Sequence, residues 1–296
     1  MNKRIHVVIN PASGQPESIL HTLNQVFHPA GVDWDVSITK EYGDGMKYAR
    51  QAVDNGYDIV AAYGGDGTVM EVANGLMGTD IPMAVFPGGT GNVMSIELNI
   101  PQDLASAAAL VVSEESQTSP VDVGQFKENY FLLRVYVGFD AQRVNLATRD
   151  MRDRYGKAAY IIAGMKALPE SKTVRYHFTL DGEVVEVEGF TCMVENAGSL
   201  GVGDFSLAPD VSINDGLLDV FCLHSFDFKA MKSASASITG KPYDADAFHH
   251  WRAKEITVDC DPPQSVIGDG ENWGKTPITI RNLPGALDII TPASLE

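Results

Sequence analysis

The sequence predicts an α/β domain built on a parallel sheet, followed by an all-β, sandwich-like second domain. Three observations carry that prediction. Up to about residue 120, apolar runs alternate with stretches whose apolar residues recur at helical spacing. The run Ile59-Val60-Ala61-Ala62-Tyr63 is unbroken, as expected of a central parallel strand covered on both faces. Beyond Pro120 the runs shorten, take on strand composition and are separated by Gly, Asp or Asn.

Taken in order, Ile5 to Asn10 reads as a strand and Ile19 to Phe27 as a helix, with Ile19, Leu20, Leu23, Val26 and Phe27 on one face and Gly31 as its stop. Trp34 to Thr39 is a strand, and Met46 to Val53 a helix stopped by Gly56. After the Ile59 strand, Val69, Val72, Ala73 and Leu76 mark a helix, Met83 to Phe86 a strand, and Leu104, Ala108 and Leu110 a helix. His21 and His28 read as surface residues. The polar stretch Ser113 to Ser119 reads as the linker, which places the domains at 1–120, joined by a returning segment of about 284–296, and at 121–283.

In the second domain the strand-like runs are Tyr130 to Val137, Val174 to Leu180, Val184 to Val187, Phe190 to Val194, Leu217 to Leu223 and Ile256 to Val258. Between the first two lies a helical insert around Val144 to Leu168. With Arg143, Arg149, Arg152, Arg154, Lys157 and Lys166 it is locally basic in an acidic protein. Docking of this insert on anionic lipid is one reading, and a solvated helix face with i, i+4 ion pairs is the other.

A formal charge of -17 argues against nucleic acid as a partner, because phosphate backbones require Lys and Arg to neutralise them. Cys192, Cys222 and Cys260 stand far apart in sequence without paired metal-ligand spacing, so they read as buried, reduced thiols. The apolar stretch after Lys3 and Arg4 ends at Ile9, too short for the core of a signal peptide, and no segment reaches bilayer-spanning length. The chain therefore reads as cytoplasmic, with transient peripheral membrane contact compatible with the same pattern.

The chemistry concentrates where strands end. Gly64, Gly65, Asp66, Gly67 and Thr68 lie between an apolar strand and a helix, so that free backbone N–H groups and the helix dipole attract an anion there. An acidic side chain inside such a cradle makes sense when a divalent cation links it to phosphate. A plain tight turn with an N-cap is the alternative for these five residues alone. Two further strands end in similar loops: Asn10, Pro11, Ala12, Ser13 and Gly14, then Pro87, Gly88, Gly89, Thr90, Gly91 and Asn92. In an open parallel sheet the carboxyl ends of strands line one crevice, so three such loops point to one site. Glu271 lies near Gly268 and Gly270 after Val266 and Ile267, and from these residues alone reads as an exposed loop carboxylate.

These motifs, in this order, resemble the soluble diacylglycerol kinase and sphingosine kinase family of lipid kinases. The resemblance rests on the three loops, Asp122-Val123-Gly124, Gly138-Phe139-Asp140-Ala141, Tyr155 to Leu168, Asn196, Ala208-Pro209, Asp215-Gly216-Leu217-Leu218-Asp219, Asp269-Gly270-Glu271, and Leu283-Pro284-Gly285-Ala286. It implies an NAD kinase/diacylglycerol kinase-like α/β nucleotide-binding domain, a β-sandwich lipid domain, and magnesium-dependent transfer of the ATP γ-phosphate to a lipid hydroxyl. It also implies that Asn10 to Gly14, Gly64 to Thr68 and Thr90 hold the nucleotide and that Asp66 reaches a catalytic Mg2+ through water or nucleotide. Glu271 corresponds to the proton acceptor, while Ser212, Asp215 and Leu217 correspond to a structural Mg2+ site. Homodimers occur among such proteins.

Two positions depart from the family pattern. Val93 stands where many members carry an aspartate, and Gln15 where others carry a basic residue, for which Arg134, Lys40 or Arg143 are candidate replacements. The first acceptor implied is diacylglycerol, giving phosphatidic acid. A sphingoid base or NAD are alternative acceptors, and a nucleotide- or lipid-binding sensor without turnover is the alternative of another class. Val135, Val137, Phe139, Ile161 and Phe205 are candidates for the lipid side, with the sandwich core as their other role.

Overall fold

The computed structural model describes residues 3–13, 18–138, 173–199, 208, 210–224 and 248–293. In chain order the elements are β1 (Arg4–Ile9), α1 (Ile19–Phe27), β2 (Asp33–Ile38), α2 (Asp44–Asp54), β3 (Ile59–Gly64), α3 (Asp66–Leu76), β4 (Met83–Pro87), α4 (Val93–Glu97), α5 (Leu104–Val112) and β5 (Ser116–Phe126). Next come β6 (Asn129–Phe131), β7 (Arg134–Val137), β8 (Val174–Leu180), β9 (Glu183–Gly189), β10 (Thr191–Glu195), β11 (Leu218–Leu223) and β12 (Phe248–Ala253). The last are β13 (Glu255–Asp261), β14 (Ser265–Gly268), β15 (Glu271–Lys275) and β16 (Ile278–Pro292). Two compact units result, Met1–Val123 with Pro284–Glu296, and Gly124–Leu283.

In the first unit the apolar runs become a parallel sheet of order β2-β1-β3-β4, and Ile289 of β16 extends it beside Met83 of β4. Every residue of β3 and β4 is buried, as strands covered on both faces require. The order has one reversal: the chain leaves β1 for β2 on one side and returns for β3 on the other. The carboxyl ends of β1 and β3 therefore flank a topological switch point, the place where open α/β sheets leave a crevice.

The helices follow the predicted periodicity with small corrections. In α1 Leu23 and Phe27 are buried one turn apart, whereas Leu20, expected on the same face, is 50% exposed. Gly31 and Gly56 have positive φ, the backbone that ends a helix in a left-handed residue. α5 is capped by Asp103, whose carboxylate accepts the Ser106 N–H at 2.9 Å.

The expected linker is instead half strand. Ser116 opens β5, an 11-residue strand that pairs with β16, and the Ser119 and Thr291 hydroxyls are hydrogen-bonded at 2.6 Å in a buried position. A polar run does not end a strand when its backbone has a partner and its hydroxyls find one another. The Asp122 and Gly285 motifs also meet here, the Asp122 carboxylate accepting the Gly285 N–H at 2.8 Å.

The second unit is an antiparallel sandwich. One layer has the order β16-β13-β8-β9 and the other β12-β11-β10-β7-β14-β15. Their inner faces supply a common core that includes Tyr176, Phe178, Val194, Val220, Ile256, Val258, Val266 and Ile280. Val135 and Val137 belong to this core and are fully buried, so the core role applies to them. The predicted strand Tyr130 to Val137 is interrupted at Leu132-Leu133. Gly14, Gln15, Phe139, Asp140, Ala141, Ile161, Phe205, Pro209 and the basic insert at 143–172 lie outside the described residues. Among those described, no helix is long and apolar enough to cross a membrane.

Folding gathers the three cysteines that sequence separates. Cys192 and Cys222 face each other across β10 and β11, and Cys260 of β13 joins them in the core beside Tyr176. All three are buried and free. Burial raises the Cys192 thiol well above its ordinary value and pushes Cys222 up to about 12 and Cys260 up to about 11. Thiolate is the reactive form, so native protein at pH 8 is expected to react with none of its thiols when treated with dithionitrobenzoate, and with 3 after guanidinium unfolding. A thiol titrating in the native state contradicts this packing.

Candidate active site

Three parallel strands bring their carboxyl ends to one place in the first unit. Asn10 follows β1, Gly64 ends β3 and Gly88 follows β4. The Asn10 N–H donates to the Tyr63 carbonyl at 3.0 Å and the Gly88 N–H to the Gly64 carbonyl at 2.8 Å, so the strand register continues into the loops. The Asn10 amide donates to the Thr68 hydroxyl at 3.0 Å, tying the first loop to α3. Its Oδ1 accepts the Ala12 N–H at 3.0 Å and its carbonyl the Ser13 N–H at 3.2 Å, shaping the turn through Pro11.

The second and third loops touch through bare backbone. A Cβ built on Gly89 would lie 2.5 Å from the Gly65 Cα, and one on Gly65 would lie 3.4 Å from the Gly89 Cα. No larger residue at 89 permits that approach. Asn92 closes the third loop: in a left-handed conformation, φ 53°, it accepts the Gly89 N–H at 2.9 Å.

Asp66, the first residue of α3, spans both loops. Its Oδ1 accepts the Met94 N–H at 3.2 Å, in the first turn of α4. Its Oδ2 faces Gly91, where a Cβ would come within 2.6 Å. The carboxylate is thus aimed by a short helix and by a missing side chain. Beside it Gly67 is exposed, with nothing within 4 Å of a Cβ built there, and Thr90 stands exposed between Gly89 and Gly91. The first turn of α3 therefore offers an accessible backbone to an anion, with a half-buried carboxylate alongside.

Comparison with known proteins supplies the family. The family model for the diacylglycerol kinase catalytic domain matches residues 4–126, and that for the YegS C-terminal NAD kinase beta sandwich-like domain matches residues 133–291. A diacylglycerol kinase of Bacillus subtilis is 28% identical over 98% of this chain and 97% of its own. One from Staphylococcus saprophyticus is 28% identical over 100% of this chain and 98% of its own. The crystal structure of a diacylglycerol kinase from Bacillus anthracis superimposes with a TM-score of 0.82 at 30% identity, covering 99% of this chain and 98% of that one. The chain belongs to the diacylglycerol kinase family of lipid kinases.

Within this lipid kinase fold the remaining predicted residues lie in the second unit. Glu271 is exposed as the first residue of β15, paired with Gly268 across a two-residue turn formed by Asp269 and Gly270. Ser212, Asp215 and Leu217 share the turn before β11. There the Ser212 hydroxyl donates to Asn214 Oδ1 at 2.8 Å and Asp215 Oδ1 accepts the Leu217 N–H at 3.0 Å. Arg252 forms an ion pair with the other carboxylate oxygen of Asp215. The same guanidinium also lies 3.4 Å from Asp219 Oδ1. Among the described residues no group of three or more His, Cys, Asp or Glu gathers as a metal site.

Arg134 is not available as a replacement phosphate ligand. It is buried, its guanidinium donates to the Ser199 carbonyl, and its Nε lies 3.8 Å from Glu195 Oε1. Burial works against its charge, but Tyr136 and Glu195 outweigh that effect, so its pKa is raised and it stays protonated. Lys40 is exposed at the end of β2.

Sequence reasoning missed α4 and the inward-facing carboxylate of Asp269, and it placed Asn92 in the third loop without its loop-closing role. Asn92 alone carried a signal, since an asparagine after a glycine-rich loop tolerates the left-handed backbone. The contact between loops yields a prediction: Gly89→Ala must part the two turns, destabilising the first unit by about 1–3 kcal/mol. Calorimetry is expected to show Mg-ATP uptake weakened by about tenfold or more, because the cradle loses its geometry. Unchanged nucleotide binding in a folded Gly89→Ala protein would separate the loop contact from ligand binding.

Proposed function

We propose that this protein transfers the γ-phosphate of ATP to the hydroxyl of a neutral lipid, with diacylglycerol as the first acceptor and phosphatidic acid as product. The observation carrying the proposal is the meeting of three strand-end loops at the switch point, with Asp66 directed into it by Met94 and Gly91. The full-length likeness to proteins named diacylglycerol kinase favours that acceptor over NAD.

The donor set fits a magnesium nucleotide. Mg2+ keeps several waters and needs only one or two carboxylates besides phosphate oxygens, so Asp66 suffices as its protein contact. When bound, the cation neutralises charge building on the transferring phosphoryl group. The chain's own residues do the positioning. The first turn of α3 at Gly67 and the exposed Thr90 hold the phosphates through backbone N–H groups, at a distance that the bare glycines permit, while the Gly88 and Gly89 N–H groups shape the loop. Asn10 holds Thr68, and with it the α3 terminus, against β1. Glu271 accepts the proton of the attacking lipid hydroxyl, without which an alcohol is a poor nucleophile. The turn of Ser212, Asp215 and Leu217 would hold a structural Mg2+ apart from phosphoryl transfer, with Arg252 beside its carboxylate.

Purified protein incubated with labelled ATP, Mg2+ and, separately, diacylglycerol, a sphingoid base and NAD is expected to phosphorylate diacylglycerol. Label in NAD alone would overturn the acceptor, and ATP uptake with no labelled product would indicate a sensor. Asp66→Asn is expected to abolish turnover and weaken Mg-ATP binding. Glu271→Gln is expected to keep ATP binding while lowering kcat by about 10²- to 10⁴-fold, the contribution of a positioned base.

A further inference from the structure

The turn that presents Glu271 is built in an unusual way. Asp269 and Gly270 form the two-residue loop between β14 and β15, both with positive φ, 43° and 93°, as primed hairpin turns demand. In such turns Asn and Asp are chosen for tolerating that backbone, and their side chains normally face water. The Asp269 carboxylate instead folds inward onto the break between β6 and β7. Oδ2 accepts the Leu132 N–H at 2.8 Å, Oδ1 accepts the Arg134 N–H at 2.8 Å, and the Leu133 N–H lies between them at 3.2 and 3.3 Å. The Asp269 N–H in turn donates to the Arg134 carbonyl at 3.0 Å.

The peptide groups of Leu132 to Arg134 are thereby used up. Their three N–H groups go to one carboxylate. Their carbonyls accept from the Asn196 amide at 2.8 Å, from the Asn196 N–H at 2.9 Å and from Asp269 itself. On the other side of the hairpin, Trp273 folds over Gly268 so closely that a Cβ there would lie 2.3 Å from its ring, and the indole stacks on Phe126 at 5.5 Å. Burial drives the Asp269 carboxyl upward from its ordinary value while the three N–H donors pull it down. An asparagine would keep the turn but turn an amide N–H2 toward N–H donors. The site calls for two acceptor oxygens, which a carboxylate supplies.

We infer that Asp269 is a positioning residue: its carboxylate, seated on the N–H groups of Leu132, Leu133 and Arg134, fixes the direction in which Glu271 leaves the turn. The inference rests on the reading of Glu271 as proton acceptor. Misplacing a catalytic group by about 1 Å costs on the order of 10²-fold in rate, so a turn held by one hydrogen-bond clamp transmits its loss directly to turnover.

The test uses the full chain with dioleoylglycerol in mixed micelles and Mg-ATP, comparing Asp269→Asn, Glu271→Gln and the double variant. Asp269→Asn is expected to lower kcat by about 10- to 100-fold with KM for ATP within about twofold. Because the effect runs through Glu271, the double variant is expected to be no slower than Glu271→Gln. Amide exchange at 132–134 is expected to accelerate in Asp269→Asn and to stay unchanged in Glu271→Gln. Wild-type kcat in Asp269→Asn beside an impaired Glu271→Gln overturns the positioning role and leaves the proton acceptor standing. Losses that multiply in the double variant overturn it as well. Wild-type kcat in Glu271→Gln overturns the reading of Glu271 and this inference together. If Asp269→Asn does not fold, Asp269→Gly, which keeps the turn's backbone and removes the clamp, takes its place; failure of both to fold would make Asp269 a folding determinant and overturn the inference.

Discussion

The backbone contact between Gly65 and Gly89 is the constraint on which the nucleotide-binding reading depends. Parallel strands β3 and β4 end level with each other, and their loops must turn back over the same edge. With side chains on both, they would splay and leave two separate helix ends. With none, the loops meet, and Asp66 reaches across to cap α4. The same edge is where the strand order reverses between β1 and β3, so Asn10 arrives from a neighbouring strand and fastens to Thr68. The proposed phosphate chemistry at this end of the sheet thus rests on steric emptiness placed at a topological switch point.

The second unit solves a different problem, that of carrying charge inside a β-sandwich. Register places Arg134, Glu195, Asp219 and Arg252 side by side across β7, β10, β11 and β12. Glu195 and Asp219 are buried next to each other, an arrangement that like-charge repulsion disfavours and that the flanking arginines offset. Arg134 stands beside one at 3.8 Å, while Arg252 at 3.4 Å and His250 at 2.6 Å stand beside the other. Removing one member of such a row costs about 3–5 kcal/mol, because the remaining buried charge is left uncompensated. The row's outer ends reach Asp269 through the Arg134 backbone and Asp215 through the Arg252 guanidinium. The two motif-bearing turns of this unit are therefore both anchored on one line of charge.

Much of this was legible in the sequence, for reasons that can be named. Apolar runs gave β1, β3 and β4 because strands covered on both faces take mainly apolar residues, His6 of β1 being buried against the Ser37 hydroxyl, and α1 follows its predicted span because Leu23 and Phe27 face one side. The three strand-end loops could be read because small and hydroxyl residues there have little structural purpose otherwise. β12, β15 and the first part of β5 were not legible. His249-His250 and Ser116-Gln117 are polar residues whose strand state comes from backbone pairing to strands far off in the sequence, and the polar Glu271-Asn272 pair takes its strand state from the hairpin with Gly268 and Ile267. Hydrophobic periodicity carries no trace of such pairing. The direction of the Asp269 side chain was hidden for a similar reason: Asp-Gly signals a hairpin turn, and nothing local says that the carboxylate turns inward to meet residues more than a hundred positions earlier.

Val93 is where the family resemblance and the physical reading have to be weighed together. An aspartate after Asn92 would stand at the first position of α4, close to Gly91 and hence to Asp66. Two neighbouring carboxylates repel until a cation arrives, which sharpens the response to Mg2+ but leaves the free site strained. With valine, position 93 adds no second carboxylate, and Asp66 is held by the Met94 N–H. The carboxylate is thus directed by the Met94 N–H, and in the proposed magnesium-nucleotide complex more of the cation's coordination would fall to phosphate and water.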